Sequence, residues 1–75
     1  MTLREILAEN LKRYRLAADL SQEELAHRAE IDRTYVSNLE CQRYAASVDV
    51  IEILARELGV EASELLKLPD TSHHS

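Results

Sequence analysis

Two capping boxes, Thr2 with Glu5 and Ser21 with Glu24, each stand at the head of a stretch whose apolar residues recur at helical spacing. In this motif the hydroxyl accepts from the amide three residues on and the carboxylate reaches back to the amide of the cap, so each box sets a helix start. After the first, Leu3, Leu7, Leu11, Tyr14 and Ala18 form one face of a helix over about 2–17. After the second, Leu25, Ala26 and Ala29 predict a short helix ending near Ala29. Asp32 is a further N-cap, and Val36 and Leu39 mark the buried side of a third helix reaching about Glu40.

The stretch Cys41 to Ala46 has no apolar period. Ser47 then caps a fourth helix whose inward stripe is expected to be Val48, Ile51, Leu54, Ala55 and Leu58. Gly59 follows Leu58 at the place where a left-handed residue closes a helix. A fifth helix is expected over about Glu61 to Lys67 with Ala62, Leu65 and Leu66 inward, and residues 69–75 read as a polar flexible tail. Residues 1–68 thus predict one all-α domain of five helices.

Composition narrows the function. With 75 residues, one Gly, one Pro and neither Phe nor Trp, the chain is poor material for a turn-rich β architecture and too small for a large pocket enzyme. The single Cys41 allows neither an intrachain disulfide nor a Cys-based zinc site, which suits a reducing cytoplasm. Arg4, Glu5 and Glu9 interrupt any secretory leader, and no apolar run approaches the roughly 18 residues of a membrane span. A soluble cytoplasmic protein is expected, with no cofactor, no metal, no membrane partner and no evident small-molecule ligand. No nucleophile–base set, carboxylate pair or phosphate-binding glycine loop is present to support catalysis.

The net charge of −5 at pH 7 argues at first against a polyanionic partner. Its distribution argues otherwise: seven basic residues face eight acidic ones up to residue 43, and two face six beyond it. The acidity belongs to the C-terminal half.

Residues Gln22 to Cys41 have the pattern of a helix-turn-helix. Small Ala26 permits close approach, Leu25 and Ala29 face inward, Ile31 plugs the turn, and Val36 and Leu39 anchor the second helix. The run Leu20-Ser21-Gln22-Glu23-Glu24-Leu25-Ala26, the run Arg33 to Glu40, and the run Leu54 to Val60 together resemble the XRE family of phage repressor and Cro-like DNA-binding domains. The resemblance spans about Leu3 to Leu66 and implies a five-helix, repressor-like fold that reads double-stranded DNA. The start Arg33-Thr34-Tyr35 also resembles controllers of restriction-modification systems, although many regulators share it.

The third helix carries the chemistry. An ordinary helical hairpin needs only the apolar spacing, whereas Arg33, Thr34, Ser37 and Asn38 are neither core residues nor a solvated Glu/Lys mixture. Arg33 can donate twice to guanine O6 and N7, Asn38 can pair with adenine N6 and N7, and the Thr34 methyl can meet that of thymine. Tyr35 can reach a phosphate or a thymine methyl, or pack. Gln22 resembles the family glutamine that meets a backbone phosphate beside free helix amides. Arg43 lies where family members touch phosphate, and Ser47 offers a hydroxyl and amides at the next helix start.

The family also pairs an arginine seven residues before that glutamine with the glutamate closing the third helix, which implies an ion pair of Arg15 with Glu40. It departs from the family where glycine is usual, at Asp19, Glu30 and Gln42, and it has Ala45-Ala46 before helix four. Val50 and Ile53 lie away from the inward stripe, which predicts a homodimer through Val50, Ile53, Leu66 and Leu68. The expected role is a transcription regulator that represses by occupying a palindromic operator. The alternative is an antitoxin-like interaction module using the acidic C-terminal half. His27 reads as solvated, His73 and His74 as lacking further ligands, and Cys41 as inert.

Overall fold

The computed structural model describes residues 1–68, and the tail expected over 69–75, with His73 and His74, lies outside the described residues. Five helices follow one another: α1 (Leu3–Ala17), α2 (Gln22–Ala29), α3 (Arg33–Glu40), α4 (Val48–Leu58) and α5 (Ala62–Leu65). Both capping boxes form. Thr2 Oγ1 accepts from Glu5 N–H, and Thr2 N–H donates to Glu5 Oε1 at 2.7 Å. Accepting that backbone amide holds the Glu5 carboxyl below the usual carboxylate range.

The helices close around one core of Leu7, Leu11, Leu20, Leu25, Ala26, Ala29, Val36, Leu39, Leu54, Ala55 and Leu65. Helix α1 packs on α3 and α5, α2 on α3 and α4, and α4 on α5. Because α1 has neighbours on two sides, its buried arc is wider than one stripe and takes in Ile6, Ala8, Asn10 and Arg15, while Leu3, at its first turn, remains 63% exposed.

Helix α4 corrects the expected stripe in the same way. Val48, expected inward, sits about 120° round from Leu54 and is 81% exposed. Val50 and Ile53, expected outward, are half-buried and pack against the core, because α4 is flanked by both α2 and α5.

Helix α5 is a single turn, shorter than expected; Pro69 has no N–H to offer the Leu65 carbonyl, and Asn10 serves the carbonyls left at the helix end. Its fully buried side chain sends Nδ2 to the carbonyl oxygens of Glu64 at 3.2 Å, Leu65 at 3.0 Å and Lys67 at 2.7 Å. Carbonyls left open at the helix end are thus satisfied from α1. Arg13 Nη2 donates to Asn10 Oδ1 at 2.8 Å, so the amide is satisfied at both ends. Nearby, Tyr14 donates its hydroxyl to Glu64 Oε1 at 3.0 Å, which pushes the phenol pKa up.

Four helices end alike. Asp19 (φ 61°), Glu30 (φ 58°), Gln42 (φ 66°) and Gly59 (φ 72°) are left-handed. Beyond each, an amide turns back to the helix: Leu20 to Arg15 O, Ile31 to Ala26 O, Arg43 to Asn38 O and Val60 to Ala55 O, at 2.8–3.1 Å. This is the Schellman arrangement, and three of its four left-handed positions carry a side chain.

Candidate nucleic-acid interface

Ser21 starts α2, its Oγ accepting from Glu24 N–H at 3.0 Å and its own N–H donating to Glu24 Oε1 at 2.8 Å. That backbone bond holds the Glu24 carboxyl below the usual range. Left-handed Glu30 ends the helix and turns half-buried Ile31 into the core. Asp32 Oδ1 then accepts from Thr34 N–H at 2.8 Å, which starts α3 with three residues between it and the end of α2.

Val36 and Leu39, 0% and 1% exposed, pin α3 to the core by its inner side. Its other residues divide by position: Arg33 and Thr34 are exposed, and Tyr35, Ser37 and Asn38 are half-buried. Arg43 and Ser47 are exposed in and just after the following loop. Ser47 Oγ accepts from Val50 N–H at 3.1 Å, so the hydroxyl caps α4 while its proton stays free to donate.

The structure brings Arg15 and Glu40 together. Arg15 Nε donates to Glu40 Oε2 at 2.7 Å and Nη2 to Oε1 at 3.1 Å, while Nη1 donates to the Leu20 carbonyl at 2.8 Å. The two side chains are 9% and 5% exposed. Gln22 joins them, giving its amide nitrogen to Glu40 Oε1 at 2.9 Å. One amide proton of Gln22 is therefore engaged inside the protein and one is left for an outside acceptor, a division its isolated position at a helix start did not reveal. The cluster ties the end of α3 to α1, to the α1–α2 turn and to the first residue of α2.

Sequence reasoning also missed Tyr44. Its ring stands 5.8 Å from that of Tyr35, tilted by 52°. The residue sits in a stretch with no period, and only the path of the loop brings it back beside α3. Asn10 had a readable signal, since it falls on the same side of α1 as Leu7 and Tyr14, three and four residues away.

A short capped helix held across a second one, its outer side free of the core, is a helix-turn-helix, the module that delivers a helix to the major groove. The helix-turn-helix family model matches residues 11–65. The chain belongs to the XRE-type helix-turn-helix family of DNA-binding transcription regulators. It is similar to a hypothetical transcription factor of Neisseria meningitidis serogroup B, 45% identical over 67 residues that cover 89% of this chain and 63% of that protein. It is also similar to the control protein C.SmaI of Serratia marcescens, 38% identical over 66 residues that cover 88% of this chain and 79% of that one. Among solved structures, the restriction-modification controller C.Esp1396I, a tetramer in complex with its natural 35-base-pair operator, superposes with a TM-score of 0.76 at 27% identity, covering 89% of this chain and 99% of that one. Among the described residues no helix is long and apolar enough to cross a membrane.

Proposed function

We propose that the protein is a sequence-specific regulator that binds a palindromic operator as a homodimer, places α3 in the major groove and represses by occlusion. The observation that carries this reading is the division of α3 into a buried Val36–Leu39 side and an outer side on which Arg33 and Thr34 are exposed and Ser37 and Asn38 half-buried. Arg33 and Asn38 read base edges, and the amides and hydroxyl at Ser47 and the free proton of Gln22 meet phosphate. Arg43 takes a phosphate as well. At the other three left-handed helix ends the next residue, Leu20, Ile31 or Val60, packs into the core, whereas Arg43 is the exposed exception. The operator complex of C.Esp1396I supports DNA as the partner.

Duplexes selected from a random pool test the reading and supply the motif. Arg33→Ala is expected to lose about 1–3 kcal/mol of binding and to relax preference at one base, whereas Arg43→Ala weakens all sequences alike and flattens the salt slope by about one. Identical behaviour of the two variants would overturn this division, and a parent with no sequence preference would point to an interaction module instead.

Exposed Leu68, with half-buried Val50, Ile53 and Leu66, supplies apolar surface for a twofold contact that sets two α3 helices about 34 Å apart. Sedimentation is expected to show a dimer at micromolar concentration. A monomer at high micromolar concentration, with and without DNA, would defeat the dimer.

A further inference from the structure

Tyr35 stands about 100° round α3 from Val36, at the border between the core side and the uncovered side. The side chain is partly buried and packs against the core. A side chain so placed needs a second wall if its hydroxyl is to be held in one direction. Tyr44 supplies it. Left-handed Gln42 reverses the chain, Arg43 N–H locks the reversal on the Asn38 carbonyl at 2.8 Å, and the next residue returns beside α3. The separation of 5.8 Å and the tilt of 52° fall in the range where aromatic edges and faces attract. Among the described residues neither phenol hydroxyl has a hydrogen-bond partner, in contrast to Tyr14. Tyr44 itself is 48% exposed, too open to be a core residue.

We infer that Tyr44 is a positioning residue whose ring holds Tyr35 at the edge of the DNA-reading side, so that a loop residue outside α3 tunes what α3 prefers. This rests on the DNA-binding role proposed above, with Tyr35 among the α3 residues that meet DNA. The ring does the work, and the Tyr44 hydroxyl does not: the pair is made by edge and face, and the polar contact with DNA belongs to Tyr35.

The experiment is a double-mutant cycle on the duplex selected by the parent protein. Tyr44→Ala is expected to weaken that duplex about three- to tenfold. It should relax the same base position that Tyr35→Ala relaxes and leave the salt slope unchanged. Tyr44→Phe should bind as the parent does, and Tyr44→Ala should add nothing in a Tyr35→Ala background. In the free protein, the Tyr35 ring-proton shifts should move with Tyr44→Ala and stay with Tyr44→Phe, which also reports that each variant is folded. A Tyr44→Phe variant as weak as Tyr44→Ala would overturn the inference, because the hydroxyl would then be a DNA contact. Additive losses in the double variant would overturn it too. A parent that selects a motif which Tyr44→Ala binds equally well defeats this inference alone, and a parent that selects no motif defeats the DNA-reading role with it.

Discussion

Replacing Glu40 with alanine is expected to lower the stability of the domain by about 3–5 kcal/mol. The carboxylate receives two nitrogens of Arg15 and the amide of Gln22, and its side chain is 5% exposed. Without it a guanidinium only 9% exposed keeps the Leu20 carbonyl alone, with little solvent around it to replace what is lost. Against a total of about 4–11 kcal/mol for a chain of this length, such a loss is a large share. The midpoint of thermal unfolding should fall by more than about 12 °C. A parallel variant separates burial of charge from loss of packing: Arg15→Leu together with Glu40→Leu removes both charges, leaves none stranded, and should recover most of the loss. Melting of Glu40→Ala within a degree or two of the parent would mean that the pair acts as an exposed one, worth under about 1 kcal/mol.

That cluster also shows what could be read from the sequence and what could not. The starts of α1, α2, α3 and α4 were legible because a cap is a local event: Thr2, Ser21, Asp32 and Ser47 bond to amides two or three residues away. The pairing of Arg15 with Glu40 came from the family resemblance, since twenty-five residues separate the partners and no helical period relates them. The bond from Gln22 to Glu40 is not legible at a helix start, because the partner lies eighteen residues away and no local pattern relates the two. The width of a buried arc is equally non-local. Val48 lies outside the buried arc of α4, and Val50 and Ile53 lie on its flank, because the number of neighbours around the helix, not its period, decides how far the covered side extends. The partner of the carbonyls at the end of α5 is Asn10, more than fifty residues earlier. Tyr44 needed the loop path, which left-handed Gln42 sets and which no apolar pattern encodes.

Those left-handed residues support the second large effect. Glycine placed at Asp19, Glu30 and Gln42 together should stabilise the domain by about 2–3 kcal/mol, because an L side chain in this conformation costs about 1–2 kcal/mol and glycine gives back part of that in unfolded-chain entropy. None of the three side chains makes a hydrogen bond among the described residues, so nothing polar is lost with them. Removal of Asp19 and Glu30 also takes two carboxylates away from the negative ends of α1 and α2. The sites close three different helices and share no partner, so their effects should add. A rise in Tm of roughly 10 °C is expected for the triple variant. Gly59 is the internal control. A Cβ built there meets nothing within 4 Å, so Gly59→Ala introduces the left-handed penalty and no clash, and should destabilise by about 1 kcal/mol. If Gly59→Ala lowers Tm while the triple variant leaves it unchanged, the side chains at 19, 30 and 42 must contribute as much as their backbone conformation takes away, and the motif would be neutral to what occupies it. If both shifts appear with opposite sign, three of the four helix ends hold stability in reserve. The one beside Arg43 would hold it within the loop proposed to meet phosphate, where Gln42→Gly can then be judged by its effect on both melting and DNA affinity.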